Sequence, residues 1–301
     1  MTHFSHEIIQ DSSDMNRVMT SDTTKSLIRR LIPQRWYAHV VLWIACFFIG
    51  FPLFYAMLVS TQNNAQTINF QVIPGESLER NWQSVMVDRN LGRYMVNSVI
   101  LAVIVTVGKT VLSLLSGLAF VYFRFPGKWV VFGFVLITVM MPTELLIIAL
   151  FRFVSIQLDW GGTFQALALP FMASATGTFL FRQHFANIPS ELSEASQMDG
   201  ANPLQFLFRV LIPISWNTIG ALAVIQFVYV WNMYLWPLLI APGGADNQVV
   251  QVGLRSLLSV DTSISYGPLM LGAVIASLPP VIVFILLQKQ FMSGFAITRD
   301  K

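Results

Sequence analysis

At 301 residues, with 55% hydrophobic and 11% charged side chains, the chain carries more apolar surface than a soluble globule of this length can bury. Its formal charge of +3 is too small to draw a nucleic acid, and a single cysteine, Cys46, excludes an intramolecular disulfide framework. Composition alone therefore points to a bilayer.

Residues 1–35 are polar and mixed in charge. The first 23 show no periodic apolar face and are expected to be disordered. Over 24–37, basic residues alternate with Leu27, Ile28, Leu31, Ile32 and Trp36, the pattern of a short amphipathic helix lying on the inner leaflet as a positive-inside anchor. The apolar run that starts near His39 is longer than the roughly 7–15 residues of a leader's apolar region, so it reads as a retained span.

Stretches free of Asp, Glu, Lys and Arg cover 36–75, 161–181, 210–245 and 262–288. Each exceeds the roughly 20 residues that cross about 30 Å of hydrocarbon. Apolar length read against charge predicts an all-α polytopic protein with six transmembrane helices at about 39–60, 94–123, 129–151, 161–181, 216–240 and 266–288. The predicted organisation is a cytoplasmic tail (1–37), one transmembrane domain (38–291) with a cytoplasmic loop at 184–215, and a cytoplasmic tail (292–301). With both termini inside, twelve basic residues face the cytoplasm, among them Arg124, Lys128, Arg182, Arg209 and Lys289. Five face out, namely Arg80, Arg89, Arg93, Arg152 and Arg255, in accord with the positive-inside rule.

The turn from Arg124 to Lys128 through Pro126 and Gly127 joins the second and third spans as an antiparallel hairpin. Lys109 and Glu144 lie 17 residues before and 18 after Pro126, so both reach a similar depth, about 26 Å from the turn. Charges in hydrocarbon need partners or a wet face, which makes a Lys109–Glu144 ion pair, or a role for Lys109 or Arg152 in attracting an anionic solute, the expected uses of these groups. Pro142 is expected to kink the third span. Gly108, Lys109 and Thr110 mimic the end of a phosphate-binding loop, but Val103 stands where that motif needs glycine. No pattern of histidine, cysteine or carboxylate matches a metal site, and none forms a catalytic triad.

Between the fourth and fifth spans, residues 191–213 read as helix, turn and helix. Pro189 and Ser190 form a helix start with Ser190 as N-cap, Gly200 supplies a permissive C-terminal turn, and Asn202 caps a second helix with Pro203 in its first position. Leu204, Phe206, Leu207, Val210 and Leu211 give that second helix an apolar side. Farther on, Tyr229, Trp231, Asn232, Tyr234 and Trp236 cluster near the outer end of the fifth span. Tyr and Trp there are expected to form a headgroup belt. The Asn232 amide needs hydrogen-bond partners and is expected to face the translocation path or another helix, with Gln226 on a different face.

Glu194, Ala195 and Ser196, then three residues to Gly200, then nine to Val210, Leu211, Ile212 and Pro213, resemble the EAA motif of bacterial ATP-binding-cassette importer permeases. That motif runs Glu-Ala-Ala, three residues, Gly, nine residues, Ile-x-Leu-Pro. Ser196, Val210 and Ile212 depart from it while keeping small size or aliphatic character. The resemblance runs from the first span to the C-terminus and lies in the carbohydrate-uptake class. Residues 123–128, 173–185 and 231–240 look most like the second permease of sn-glycerol-3-phosphate importers, while the polar segment before Trp36 departs from that subunit. The resemblance implies a heterodimer with a second permease, two ATPase subunits that bind ATP and Mg2+, and an extracytoplasmic solute-binding protein. It also implies that the chain has no ATPase site of its own and works by alternating access in the bacterial inner membrane. Glu194, Ala195, Ser196, Asp199, Gly200 and Pro213 would then couple to the ATPase, and Lys109, Glu144 and Asn232 would line the translocation path. The solute would be sn-glycerol 3-phosphate or a related phosphodiester, polyol or sugar, with a disaccharide such as maltose or trehalose as alternative. An ion-coupled secondary carrier is the rival of another class, and it would need more spans and inverted repeats.

Overall fold

The computed structural model describes residues 36–241, 246–258 and 265–295, which form helices and connecting turns with no strand among them. The anchor segment and most of the polar N-terminal tail lie outside the described residues, as does most of the C-terminal tail. The chain divides into two units, Met1–Tyr55 and Ala56–Lys301. The first contributes most of helix α1 (Trp36–Val59), whose own rings follow one another along the helix from Phe47 through Phe51 to Tyr55.

The second unit is built on α2 (Leu91–Tyr122), α5 (Ala175–Ala186), α8 (Trp216–Trp231) and α10 (Tyr266–Phe295). Helix α2 packs along both α5 and α8, and α8 packs along α10. Helix α2 is apolar on its exposed side, and its buried side mixes apolar residues such as Leu101, Val105, Leu114 and Leu118 with polar ones. Its buried side carries Ser98, Thr106, Lys109 and Ser113, while its exposed side from Val96 to Leu115 is Val96, Ile100, Val103, Ile104, Val107, Val111, Leu112 and Leu115. A surface of that kind requires an apolar solvent or an apolar partner.

Small residues set the helix spacing. A Cβ on Gly117 of α2 would stand 2.8 Å from Phe181 Cβ of α5, and one on Gly177 would stand 2.2 Å from Ser113 Oγ. Beside them Ser116 and Thr178 share a hydroxyl hydrogen bond of 2.8 Å. Gly220 and Gly294 bring α8 and α10 together in the same way, against Gln290 and Ala221. In lipid, close backbone approach and interhelical hydrogen bonds are the main sources of attraction between helices.

Several predicted spans are divided. The third stops at Val139 as α3 (Lys128–Val139) and resumes after Pro142 as α4 (Thr143–Phe151), so proline breaks the helix rather than bending it. The fourth begins later and ends later than expected, as Phe164–Ala168 followed by α5, with Ser174 capping the second piece through its hydroxyl. The fifth ends at Trp231 and restarts as Leu235–Ile240. Among the described residues, four helical stretches are long and apolar enough to cross a membrane (36–59, 91–122, 164–186 and 266–294), and a fifth counts if the bent pair 203–214 and 216–231 is one span. Shorter apolar helices at 128–139 and 145–157 fill the place of the predicted third span.

At one end of this unit lie the C-terminus of α2, the start of α3 and the end of α5, where Arg182 sits over the rings of Trp129 and Phe132. At the other end α9 (Val250–Ser256) is tied to the start of α2. Asn97 donates to the carbonyls of Asp246 and Gln248, Ser98 Oγ accepts from the Val250 amide, and Arg93 pairs with Asp246 at 3.0 Å.

Candidate functional site

Two places collect the polar residues singled out from the sequence. The first is the loop at the basic end. Helix α6 (Ser190–Met198) starts with Pro189, not Ser190, in the capping position, and no side chain caps it. An extended proline at that position already directs the chain into the helix, so Ser190 becomes its first residue. The helix ends in a Schellman turn: Gly200 has φ +74°, its amide donates to Gln197 O at 3.0 Å, and Ala201 donates to Ser196 O at 3.0 Å. Asn202 then caps α7 (Pro203–Phe206), accepting from the Gln205 amide while Gln205 Oε1 accepts from Asn202 N.

The two halves of this loop have opposite surroundings. Helix α6 has no buried residue. Glu194 and Ala195 are exposed, Ser196 is half-buried, and Asp199 occupies the C-cap with its amide donating to Ala195 O. The Glu194 carboxylate makes no hydrogen bond or ion pair among the described residues. Beyond the turn, Phe206, Leu207 and Leu211 are buried in a cluster with Leu114, Leu118, Phe181, Phe185 and Leu222, drawn from α2, α5 and α8. The Phe206 ring meets Tyr122 edge to face at 5.1 Å. Leu204 is exposed and Val210 only half-buried, so the apolar side is narrower than the sequence implied. Pro213 is exposed in the short turn Ile212–Ile214, after which the chain bends by 81° into α8. A bare helix is thus joined through a fixed bend to a segment that is part of the bundle's core. Phe206→Ala is expected to cost about 3 kcal/mol of local packing. Thermal unfolding of the purified chain in detergent measures that loss, and α6, which has no buried residue, does not share it.

The second place is a cavity of about 730 Å³ within the helical layer. Lys109, Tyr229, Asn232 and Tyr234 line it together with Leu146, Ile147, Leu150, Phe171 and Trp236. Lys109 Nζ donates to Gln226 Oε1 at 2.8 Å and lies 4.5 Å from the centre of the Tyr229 ring. Asn232 donates to Val228 O at 2.9 Å and accepts from Gln251 Nε2 at 3.4 Å. Arg255 hydrogen-bonds the Tyr234 hydroxyl across the mouth of this region.

Lys109 and Asn232, which the resemblance assigned together to a translocation path, line one cavity. The anticipated Lys109–Glu144 pair lies outside the description, because the Glu144 side chain is not among the described residues. Arg152 is exposed and does not line the cavity. Gln226, expected on a different face from Asn232, does not itself line the cavity. It stands three residues before Tyr229, however, and that spacing puts the two on one side of a helix. The aromatic belt is corrected as well. Trp231 and Trp236 are buried, their indole N–H groups donating to Ala276 O at 3.1 Å and Ala166 O at 3.0 Å, because a buried indole must find an acceptor. No cluster of His, Cys, Asp and Glu fit to hold a metal occurs among the described residues.

Residues 109–295 match the family described as binding-protein-dependent transport system inner membrane component. The sn-glycerol-3-phosphate transport system permease protein UgpE of Brucella melitensis is 37% identical over 270 residues, covering 86% of this chain and 95% of its own. Its counterpart in Agrobacterium fabrum is 37% identical over 274 residues, with 88% and 96% covered. That of Pectobacterium atrosepticum is 36% identical, with 86% and 94% covered. Among solved structures, a chain of a bacterial ABC transporter involved in the import of the acidic polysaccharide alginate superposes with a TM-score of 0.72. That alignment covers 90% of this chain and 98% of the other at 21% identity, a likeness of fold.

Proposed function

We propose, for a chain that belongs to the family of binding-protein-dependent transport system inner membrane components, that it is the permease subunit of an ATP-binding-cassette importer for sn-glycerol 3-phosphate or a closely related polyol phosphate. The observation that carries the reading is the likeness to three permeases of that transport system, which extends over at least 86% of the chain and so includes both the loop and the cavity. The protein is a multi-pass component of the inner membrane. Its proposed partners are a second, related permease, two ATPase subunits that bind ATP and Mg2+, and a solute-binding protein on the outer side.

The exposed α6 is the element proposed to seat in a cleft of an ATPase subunit. Glu194 reaches that partner with its carboxylate, Ala195 and Ser196 allow close approach, and Asp199 and Gly200 close the bend. Closure of the ATPase pair on ATP would carry α6 with it. Phe206, Leu207 and Leu211 would pass that motion to α2, α5 and α8, and the 81° bend after Pro213 would turn it into rotation of α8. The basic residues Arg124, Lys128 and Arg182 stand at the end that bears α6, which supports a cytoplasmic side for that end under the positive-inside rule. Six crossings then follow if α3 and α4 together make one.

The test is reconstitution of the full complex in proteoliposomes with its binding protein. sn-Glycerol 3-phosphate is expected to raise ATP hydrolysis and to accumulate inside, with maltose and trehalose inactive. Stimulation by a disaccharide alone would replace the solute assignment. Uptake that runs on an ion gradient without ATP would replace the importer reading by a secondary carrier.

A further inference from the structure

Lys109 is a cation held deep among apolar helices, yet every partner of its ammonium among the described residues is neutral. One donor goes to Gln226 Oε1, and the ring face of Tyr229 lies beside it. Gln226 presents its oxygen to the ammonium while its own Nε2 donates to Ser174 Oγ at 3.4 Å. Ser174 Oγ is itself fixed by accepting from the Gly177 amide at 3.0 Å at the start of α5. This relay from α5 through α8 to α2 orients the ammonium without cancelling its charge. An ammonium has three donors, so two remain after Gln226.

The cavity that Lys109 lines is otherwise largely apolar, with Leu146, Ile147, Leu150 and Phe171 on its walls. Such walls lower the local dielectric and strengthen any charge–charge contact made there. They also offer a neutral disaccharide few partners for its many hydroxyls, whereas a single anionic head needs one cation and a few donors. Such donors line the same cavity: Tyr229, which carries a hydroxyl, and the Asn232 amide, which has a second N–H beyond the one given to Val228 O. The volume of about 730 Å³ falls in the range of small-ligand sites.

We infer that Lys109, Tyr229 and Asn232 form an intramembrane subsite in this subunit for the anionic head of a small phosphate ester, resting on the solute class proposed above. Gln226 and Ser174 are positioning residues that hold the ammonium toward the cavity. The subsite selects by charge after the binding protein has delivered the solute, and it releases the anion when rotation of α8 carries Tyr229 and Asn232 away from Lys109.

The experiment uses the complete reconstituted transporter with sn-glycerol 3-phosphate as probe. Lys109→Met is expected to raise KM for uptake by about tenfold or more, Lys109→Arg to restore most of it, and Gln226→Ala to have an intermediate effect. In a second measurement on the assembled complex, Leu146→Cys, which lines the cavity and leaves Lys109 in place, is combined with Cys46→Ser and labelled with a charged thiol reagent. Labelling is expected to be slowed by sn-glycerol 3-phosphate and not by glycerol. Wild-type KM in Lys109→Met, or equal protection by glycerol, overturns the subsite. So does recovery of Lys109→Met on adding Glu144→Gln, because that result assigns Lys109 to a structural ion pair. Failure of the solute class itself is read separately, as a wild-type complex that takes up no sn-glycerol 3-phosphate.

Discussion

Gly200→Val is expected to reduce solute uptake by about tenfold or more, whereas Gly200→Asn keeps most of it. A Cβ at Gly200 meets nothing within 4 Å in this chain, so the cost is conformational. At φ +74° a β-branched residue loses roughly 2 kcal/mol, while asparagine visits this region readily. That cost falls on the turn whose two backbone bonds, from Gly200 to Gln197 and from Ala201 to Ser196, end α6. A nine-residue helix with no buried face has little else to hold it. Uptake and ATP hydrolysis measured together on the reconstituted complex check the result. Should asparagine fail as badly as valine, the requirement is for space against a bound partner rather than for backbone conformation. Wild-type uptake in the valine variant would remove the bend from the mechanism.

The second large effect is expected at the crossing of α2 and α5. Gly177→Val and Gly117→Leu should each sharply lower the yield and thermal stability of the folded chain. At Gly177 the new Cβ meets Ser113 Oγ at 2.2 Å and Ser113 Cβ at 2.9 Å, and at Gly117 it meets Phe181 Cβ at 2.8 Å and Phe181 backbone at 3.1 Å. Ser113 Oγ can rotate aside, but Ser113 Cβ, Phe181 Cβ and the Phe181 backbone cannot, so the helices must separate, at roughly 1–3 kcal/mol or more. Separation also lengthens the Ser116–Thr178 hydrogen bond beside the contact. The milder Gly177→Ala should be recovered by adding Ser113→Gly, which empties the space the methyl needs. Thermal unfolding in detergent, followed by size-exclusion fluorescence, reports both. Stability of Gly177→Val equal to the parent would mean that α2 and α5 are not packed as described.

What was readable in advance is what depends on near neighbours in the chain. Gly200 as the turn, Asn202 as a cap and Pro203 in the first helical position follow from backbone chemistry confined to a few residues, and each is found. Ser190 failed by one position because Pro189, fixed in φ, took the capping place. Pro142 was expected to kink the third span and instead ends a helix; Pro170 and Pro237 stand at the interruptions near Ser174 and 232–234, but both lie in charge-free apolar runs, so hydropathy joined the pieces. The contact from Lys109 to Gln226 crosses 117 positions and belongs to helix packing, which no local pattern encodes. The spacing of Gln226 and Tyr229 was the available clue. Trp231 and Trp236 were misplaced because an indole serves equally well at a headgroup or in a core, and only the acceptor it finds decides between them.

The two indoles give the interruption at 232–234 a further property. Trp231 is fastened to the carbonyl of Ala276 in α10, and Trp236 to that of Ala166 in the piece before α5. The four residues between them, Asn232, Met233, Tyr234 and Leu235, all border the cavity. This short strip is therefore slung between two moorings on different neighbours. Any sliding of α10 against the 164–168 helix must stretch or slacken it, altering the width of the chamber while each flanking helix keeps its own hydrogen bonds.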